Sequence, residues 1–300
     1  MKNRISGAFS DRVFDAAVFA VLLLLLLLVA YPLYFTVIAS VSAPSDVAFG
    51  RVVLFPKNIG FEGYQKVVEY GPIWTGYRNT ILYTVAYTLI SVIVTMMAGY
   101  ALSRKSMPFR GFIMAFMTFT MFFSGGQIPT YLFMQQLGLI GNPLLIVVMG
   151  TVSVYNTIIA RTFMSSSIPD ELYEAATIDG CNHARFFVRM VVPLSPALIS
   201  VLVLFAAVAQ WNSWFNAMIY LKEQAHMPLS LVLRDLIVSQ QGFMREMSMD
   251  SGGDDFTRQA MLAESMKYAV IIVSTLPILC LYPFVQKYFV KGVMVGSIKG

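Results

Sequence analysis

The stretch ELYEAATIDG, Glu171 to Gly180, gathers carboxylates at Glu171, Glu174 and Asp179 and ends on a glycine. Pro169 suits the first turn of a helix, where its missing N–H costs nothing. Asp170 and Glu171 then meet the positive end of the helix dipole. Leu172, Ala175 and Ala176 follow at i, i+3 and i+4, which gives one narrow, smooth face. Gly180 stands where a left-handed cap would end the helix, and Asn182 can cap the next one. That second helix carries an apolar patch (Phe186, Phe187, Met190 and Val191), a basic edge (Arg185 and Arg189) and a stop at Pro193. Two short helices around a glycine turn form a compact unit whose charged and apolar groups suit a groove on another protein. The same spacing also fits a helix lying at a membrane surface.

A second set of residues is polar or flat inside otherwise apolar runs: Asn156, and Gln210, Trp211, Asn212, Trp214 and Asn216 in the string QWNSWFNAMIYL. Polar groups inside a membrane span usually face a cavity or a partner, and tryptophan faces suit sugar rings. The alternatives are an interfacial aromatic belt and contacts that join helices. Nothing points to catalysis. No glycine is followed by lysine, which excludes the phosphate-binding P-loop. Cys181, Cys280, His183 and His226 lack metal-site spacing, so no metal is expected.

The elements that hold these residues follow from hydropathy. The chain has 300 residues, 57% hydrophobic and 12% charged, against about 25% charged in soluble domains. A span needs about 20 apolar residues. Uncharged windows run over 16–38, 80–102, 111–160, 190–221 and 268–286. The window 111–160 is long enough for two spans, with QLGLIGNP as the turn between them. The expectation is therefore an all-α polytopic membrane protein with six spans, at 13–40, 79–103, 111–134, 142–163, 193–221 and 268–286. The permease-like core would cover 79–290. Outer segments would be 41–78 and 222–267, the inner loop 164–192, and the ends 1–12 and 287–300. SGGQIPT, Ser124 to Thr130, should bend the third span, and SMDSGGDD, Ser248 to Asp255, reads as a loop tip. The first apolar run is too long for a signal-peptide core of about 7–15 residues, so an uncleaved span is expected. Short loops rich in Lys and Arg face the cytoplasm. Lys2, Arg4, Arg12, Arg104, Lys105, Arg110, Arg161, Arg185, Arg189, Lys287, Lys291 and Lys299 then place both termini inside. The net charge of +5 reflects these flanks and gives no reason to invoke nucleic acid. No repeat of solenoid length and no inverted duplication is visible.

EAATIDGCNHARFFVRMVVPLSP resembles the coupling-loop signature of permease subunits of binding-protein-dependent ATP-binding-cassette (ABC) importers, a Glu-Ala-Ala string, three residues, a glycine and a hydrophobic helix. Glu174, Ala175, Ala176, Gly180 and Pro193 match it, with Asp179 before the glycine as in the sugar branch. Val192 stands where leucine is usual, and Cys181 and Asn182 replace the commoner Ala-Ser. YRNTILYT at 77–84, QIPTYL at 127–132, QWNSWFNAMIYL and the tail QKYFVKGVMVGSIKG are similar to the carbohydrate branch, the subunit related to the second maltose-type permease. The long outer segment before the last span is similar to permeases for complex oligosaccharides or polysaccharide fragments. The resemblance implies the type I importer fold in a bacterial cell membrane. It also implies a second permease subunit, as a heterodimer, two ATPase subunits and an extracytoplasmic sugar-binding protein. This chain would carry no cofactor, since ATP and magnesium would sit on the ATPase. Glu171 and Glu174 to Gly180, with Arg185 and Pro193, would couple to that ATPase. Asn156, Gln210, Trp211, Asn212, Trp214 and Asn216 would line the sugar path. The alternatives are an ion-coupled secondary transporter, disfavoured by spans almost free of ionisable groups, and an ABC permease for a non-sugar solute.

Overall fold

The computed structural model describes residues 9–247 and 261–280. The loop tip at Ser248 to Asp255, the tail that resembles the sugar branch and the last residues of the sixth expected span lie outside the described residues. Helix is the only regular structure among the described residues, apart from one isolated antiparallel bridge between Ser42 and Ile59. The chain divides into two compact units, the described parts of Met1–Tyr70 with Leu236–Thr275 and of Gly71–Asp235 with Leu276–Gly300.

The first unit begins with α1, Phe9–Ser40, which holds the leucine run. Its last turn packs: Ile38 and Ala39 join Val47 and Val52 in a small core, where Phe35 meets the ring edge of Tyr268. The segment after α1 folds back through α2, Pro44–Ala48, and α3, Glu62–Glu69. Asp46 is buried there and paired, accepting from Asn58 Nδ2 at 2.7 Å and Arg51 Nη1 at 3.4 Å. A buried carboxylate without such partners would be costly.

The second unit is built on α4, Gly71–Ser103. At about 1.5 Å per residue it is roughly 50 Å long, enough to cross a bilayer with turns to spare. It starts eight residues before the expected 79, because Gly71-Pro72 opens the helix and the YRNT string continues it. α4 packs against α8, Val154–Ser167, and α12, Pro196–Trp211. The approach to α8 is close: a Cβ on Gly99 would lie 2.6 Å from Ala160 Cβ. Small residues at such crossings let helix backbones touch in membranes.

The expected third span is two helices, α5, Arg110–Phe122, and α6, Gln127–Gln136, bent by 110°. Gly126, with φ +85°, makes the bend where SGGQIPT predicts one. The expected fourth span is also divided, into α7, Pro143–Val148, and α8, with Gly150 at φ +82° between them. Its freed carbonyls are satisfied from α4. Tyr87 Oη donates to Gly150 O and Ser91 Oγ to Thr151 O, both at 2.8 Å. Irregular backbone at membrane depth needs such partners. The expected fifth span comprises α12 and α13, Phe215–Tyr220, with Asn212–Trp214 between. α14, Leu229–Met247, occupies part of the expected outer segment, and α15 is Met261–Cys280. Among the described residues, three helices (α1, α4 and α15) can cross a membrane by length and composition, or five if each bent pair counts as one span. Six is not reached by that measure, because the fourth span is cut at Met149–Ser153.

Candidate functional site

The loop between α8 and α12 folds as two helices around a tight turn. α9, Asp170–Ile178, follows Pro169, which stands just ahead of it in extended conformation. Its first turn is anchored to the end of α4. Arg104, buried despite its charge, donates from Nη1 to Asp170 Oδ1 and from Nη2 to Ile168 O, each at 3.3 Å. Lys105 Nζ reaches Asp170 Oδ2 at 3.1 Å. Asp170 is therefore committed within the chain, whereas Glu171 and Glu174 are exposed.

The end of α9 is a Schellman motif. Cys181 N donates to Ala176 O and Gly180 N to Thr177 O, both at 2.9 Å, with Gly180 at φ +75°. Asn182 Oδ1 then accepts from Arg185 N at 2.9 Å and starts α10, His183–Phe186. A wider π-helical turn, Phe187–Val191, and α11, Val192–Leu194, complete the second helix. The wider turn accompanies Pro193, whose missing N–H interrupts the ordinary ladder. The chain then bends by 84° into α12.

The structure corrects two expectations about which face is free. Leu172 and Ala176 turn inward against the unit's own core, and Ala175 points out, so the expected smooth face is split. Phe186 and Val191 are fully buried, and Phe187 and Met190 pack half-buried beside them, so the apolar patch is core. The reason is long-range. Tyr100 of α4 packs against Phe186 and Phe187 and bonds its hydroxyl to His183 Nδ1 at 3.0 Å. Tyr173 stacks on His183 with ring centroids 4.4 Å apart. What α9 and its turn present outward is Glu171, Glu174, Ala175, Thr177, Ile178, Asp179 and Gly180, with Arg185 and Arg189 among the exposed residues of the second helix. Ile178 is 87% exposed, an apolar tip that sequence patterning missed. Its position one residue before the Asp-Gly pair was the available signal.

The second set of residues is spread over α8, α12, α13 and the turn between the last two. Gln210 is buried and donates from Nε2 to Ile146 O at 3.4 Å, joining α12 to α7. Trp211 is buried edge-on to Tyr77 of α4. Asn212 is exposed and caps its own helix by donating to Val208 O at 2.9 Å. Trp214 is exposed, with the Arg234 guanidinium 5.1 Å from its ring centre. Asn216 and Asn156 are half-buried on α13 and α8. The YRNT string acts as a clamp: Asn79 Nδ2 donates to Ala225 O and Met227 O at 2.8 and 3.0 Å, and Thr80 Oγ1 accepts from Leu229 N at 2.8 Å. Among the described residues no group of three or more His, Cys, Asp or Glu could hold a metal.

A family model described as "Binding-protein-dependent transport system inner membrane component" matches residues 71–295. The chain is 33% identical over 290 residues to the polygalacturonan/rhamnogalacturonan transport system permease protein YtcP of Bacillus subtilis (strain 168), covering 97% of this chain and 99% of that protein. It is 32% identical to Protein LplC of the same strain, covering 90% and 89%. A solved structure of a bacterial ABC transporter involved in the import of the acidic polysaccharide alginate superposes with TM-score 0.83 at 31% identity, covering 94% of this chain and 99% of that one. These matches set aside an ion-coupled secondary transporter. The chain belongs to the inner membrane components of binding-protein-dependent transport systems, the membrane-embedded permease subunits of ABC importers.

Proposed function

We propose that this permease imports an oligosaccharide, a fragment of a complex polysaccharide, and that Glu171 and Glu174 to Gly180 transmit work from a separate ATPase. The observation that carries this is the outward tip of α9. It is capped at its far end, pinned at its near end by Arg104, and exposes acids and Ile178 where a docking lever needs them. Glu174 and Asp179 would each contribute about 1.5–3 kcal/mol in charge-assisted bonds to basic groups of the ATPase. Arg185 would add a cation beside them, and Pro193 would set the angle at which the lever joins α12. The ATPase would hold ATP and magnesium. A second permease chain, two ATPase subunits and an extracytoplasmic binding protein complete the assembly, in a bacterial cell membrane with six spans and both termini inside.

The cargo is inferred from relatives named for polygalacturonan/rhamnogalacturonan and for alginate. Within the membrane, Asn156, Asn212, Trp214 and Asn216 are the members of the second set that remain accessible. Gln210 and Trp211 would act behind them, holding α12 against α7 and α4. The test is reconstitution in vesicles with the partner subunits and a panel of glycans. Glu174→Lys should leave insertion intact, and oligosaccharide-stimulated ATP hydrolysis should no longer drive uptake. Normal uptake by this variant would remove the coupling role, and stimulation by a non-sugar solute alone would remove the cargo.

A further inference from the structure

A polar cavity of about 330 Å³ lies where α4 ends, between the starts of α5 and α9 and the last turns of α8. Its charged lining is Arg104, Lys105, Arg110 and Arg161, against the carboxylates of Asp170 and Glu171. We propose that this cavity binds the phosphate group of a singly charged anion, a phosphodiester headgroup or free phosphate, at the membrane surface.

The charges are unequally matched. Asp170 takes both Arg104 and Lys105, with one carboxylate oxygen for each. Arg161 uses Nε on Leu102 O at 3.3 Å, which leaves its two terminal nitrogens without a partner among the described residues. Arg110 has no ion-pair partner among the described residues either. Two guanidinium groups that share a cavity repel one another, and an anion between them relieves that repulsion. The planar donor fork of arginine matches phosphate oxygens two at a time. Arg104 is already fixed by three hydrogen bonds, to Ser103 Oγ, Asp170 Oδ1 and Ile168 O, so one wall of the cavity is preformed. Glu171 at the rim disfavours a dianion and so favours a phosphodiester with one charge.

The surroundings fit a lipid source. Phe109, Phe112 and Phe116, all highly exposed, flank and follow Arg110 of the cavity lining at the start of α5, and would offer a path for acyl chains. Basic pockets between membrane helices are where anionic headgroups bind. The orientation proposed above puts this end of α4 in the cytoplasmic leaflet, and the sugar cargo plays no part in the argument. A bound headgroup would bridge α5 and α8 beside the first turn of α9.

The experiment is native mass spectrometry of the full-length chain with its co-purifying subunits, released from bilayers of phosphatidylglycerol or phosphatidylcholine. The wild type should retain phosphatidylglycerol and not phosphatidylcholine. Arg110→Gln with Arg161→Gln should lower that retention roughly tenfold to thirtyfold, from about 1 kcal/mol per cation. Arg189→Gln, outside the cavity, should leave it unchanged. Displacement of the lipid by millimolar inorganic phosphate in the wild type alone would assign the site to free phosphate. Arg110→Gln by itself gives the answer if the double variant does not fold. Equal retention in wild type and cavity variants overturns the proposal. So does a cavity variant that loses co-purifying subunits while its lipid is unchanged, which would make the cavity a protein contact.

Discussion

Two glycines in the second unit do opposite jobs. Gly180 is needed for its backbone, at φ +75°, with nothing within 4 Å of where a Cβ would stand. Its replacement by alanine therefore costs conformational strain alone, about 1–2 kcal/mol for an L-residue in that region. Gly180→Ala should fray the exposed Schellman turn, which relieves that strain locally, and so lower coupled uptake with a smaller fall in unfolding temperature than a substitution at a helix crossing. Gly180→Asn should do less harm, since asparagine tolerates the conformation. Gly99 is needed for its missing side chain. A Cβ there would sit 2.6 Å from Ala160 Cβ and 3.1 Å from backbone atoms of α8. Gly99→Ala should lower the unfolding temperature in detergent, with overpacking of about 1–3 kcal/mol. Ala160→Gly in the same chain should recover part of the loss, and no recovery would place the strain in the backbone contact.

Among the elements, α4 organises the second unit by supplying hydrogen bonds to backbone that other elements leave open. Tyr87 and Ser91 serve the break between α7 and α8, and Asn79, Thr80 and Tyr83 serve the residues around the turn Gln224–His226. Tyr87→Phe with Ser91→Ala would strand the buried Thr151 carbonyl, at about 1–3 kcal/mol for a buried group left unpaired, and would free the exposed carbonyl of Gly150 at a smaller cost. The expected result is a lower unfolding temperature and faster proteolysis in the segment around Gly150. Stability equal to wild type would mean that the break has other partners. This dependence explains why the broken fourth span was not legible in the sequence. VVMGTVS reads as continuous apolar helix, and the side chains that stabilise its interruption lie more than fifty residues upstream. The kink at SGGQIPT was legible because glycine and proline act locally.

At the scale of the whole molecule, class and family could be read from long uncharged windows and from EAATIDG. The caps at Gly180 and Asn182 were legible too, since each depends on a few neighbouring residues. The facing of the second helix was not. Phe186 and Val191 look like a docking patch until Tyr100, far away in sequence, covers them. The burial of Gln210 and Trp211 was not legible for a similar reason: polar and aromatic residues in a span serve packing as readily as cargo, and the partners Ile146 and Tyr77 lie far upstream, whereas Asn212, Trp214 and Asn216 of that string stay accessible. α1 shows the reverse situation. The most apolar stretch of its span, Asp11–Ser40, has 0% of its residues buried, and packing resumes only in its last turn, at Ile38 and Ala39. The order of letters in such a stretch carries almost no instruction. Its seven leucines encode a thickness rather than a shape, so that they are free to be shuffled or exchanged for isoleucine and valine, and a change of total length is what the protein would register.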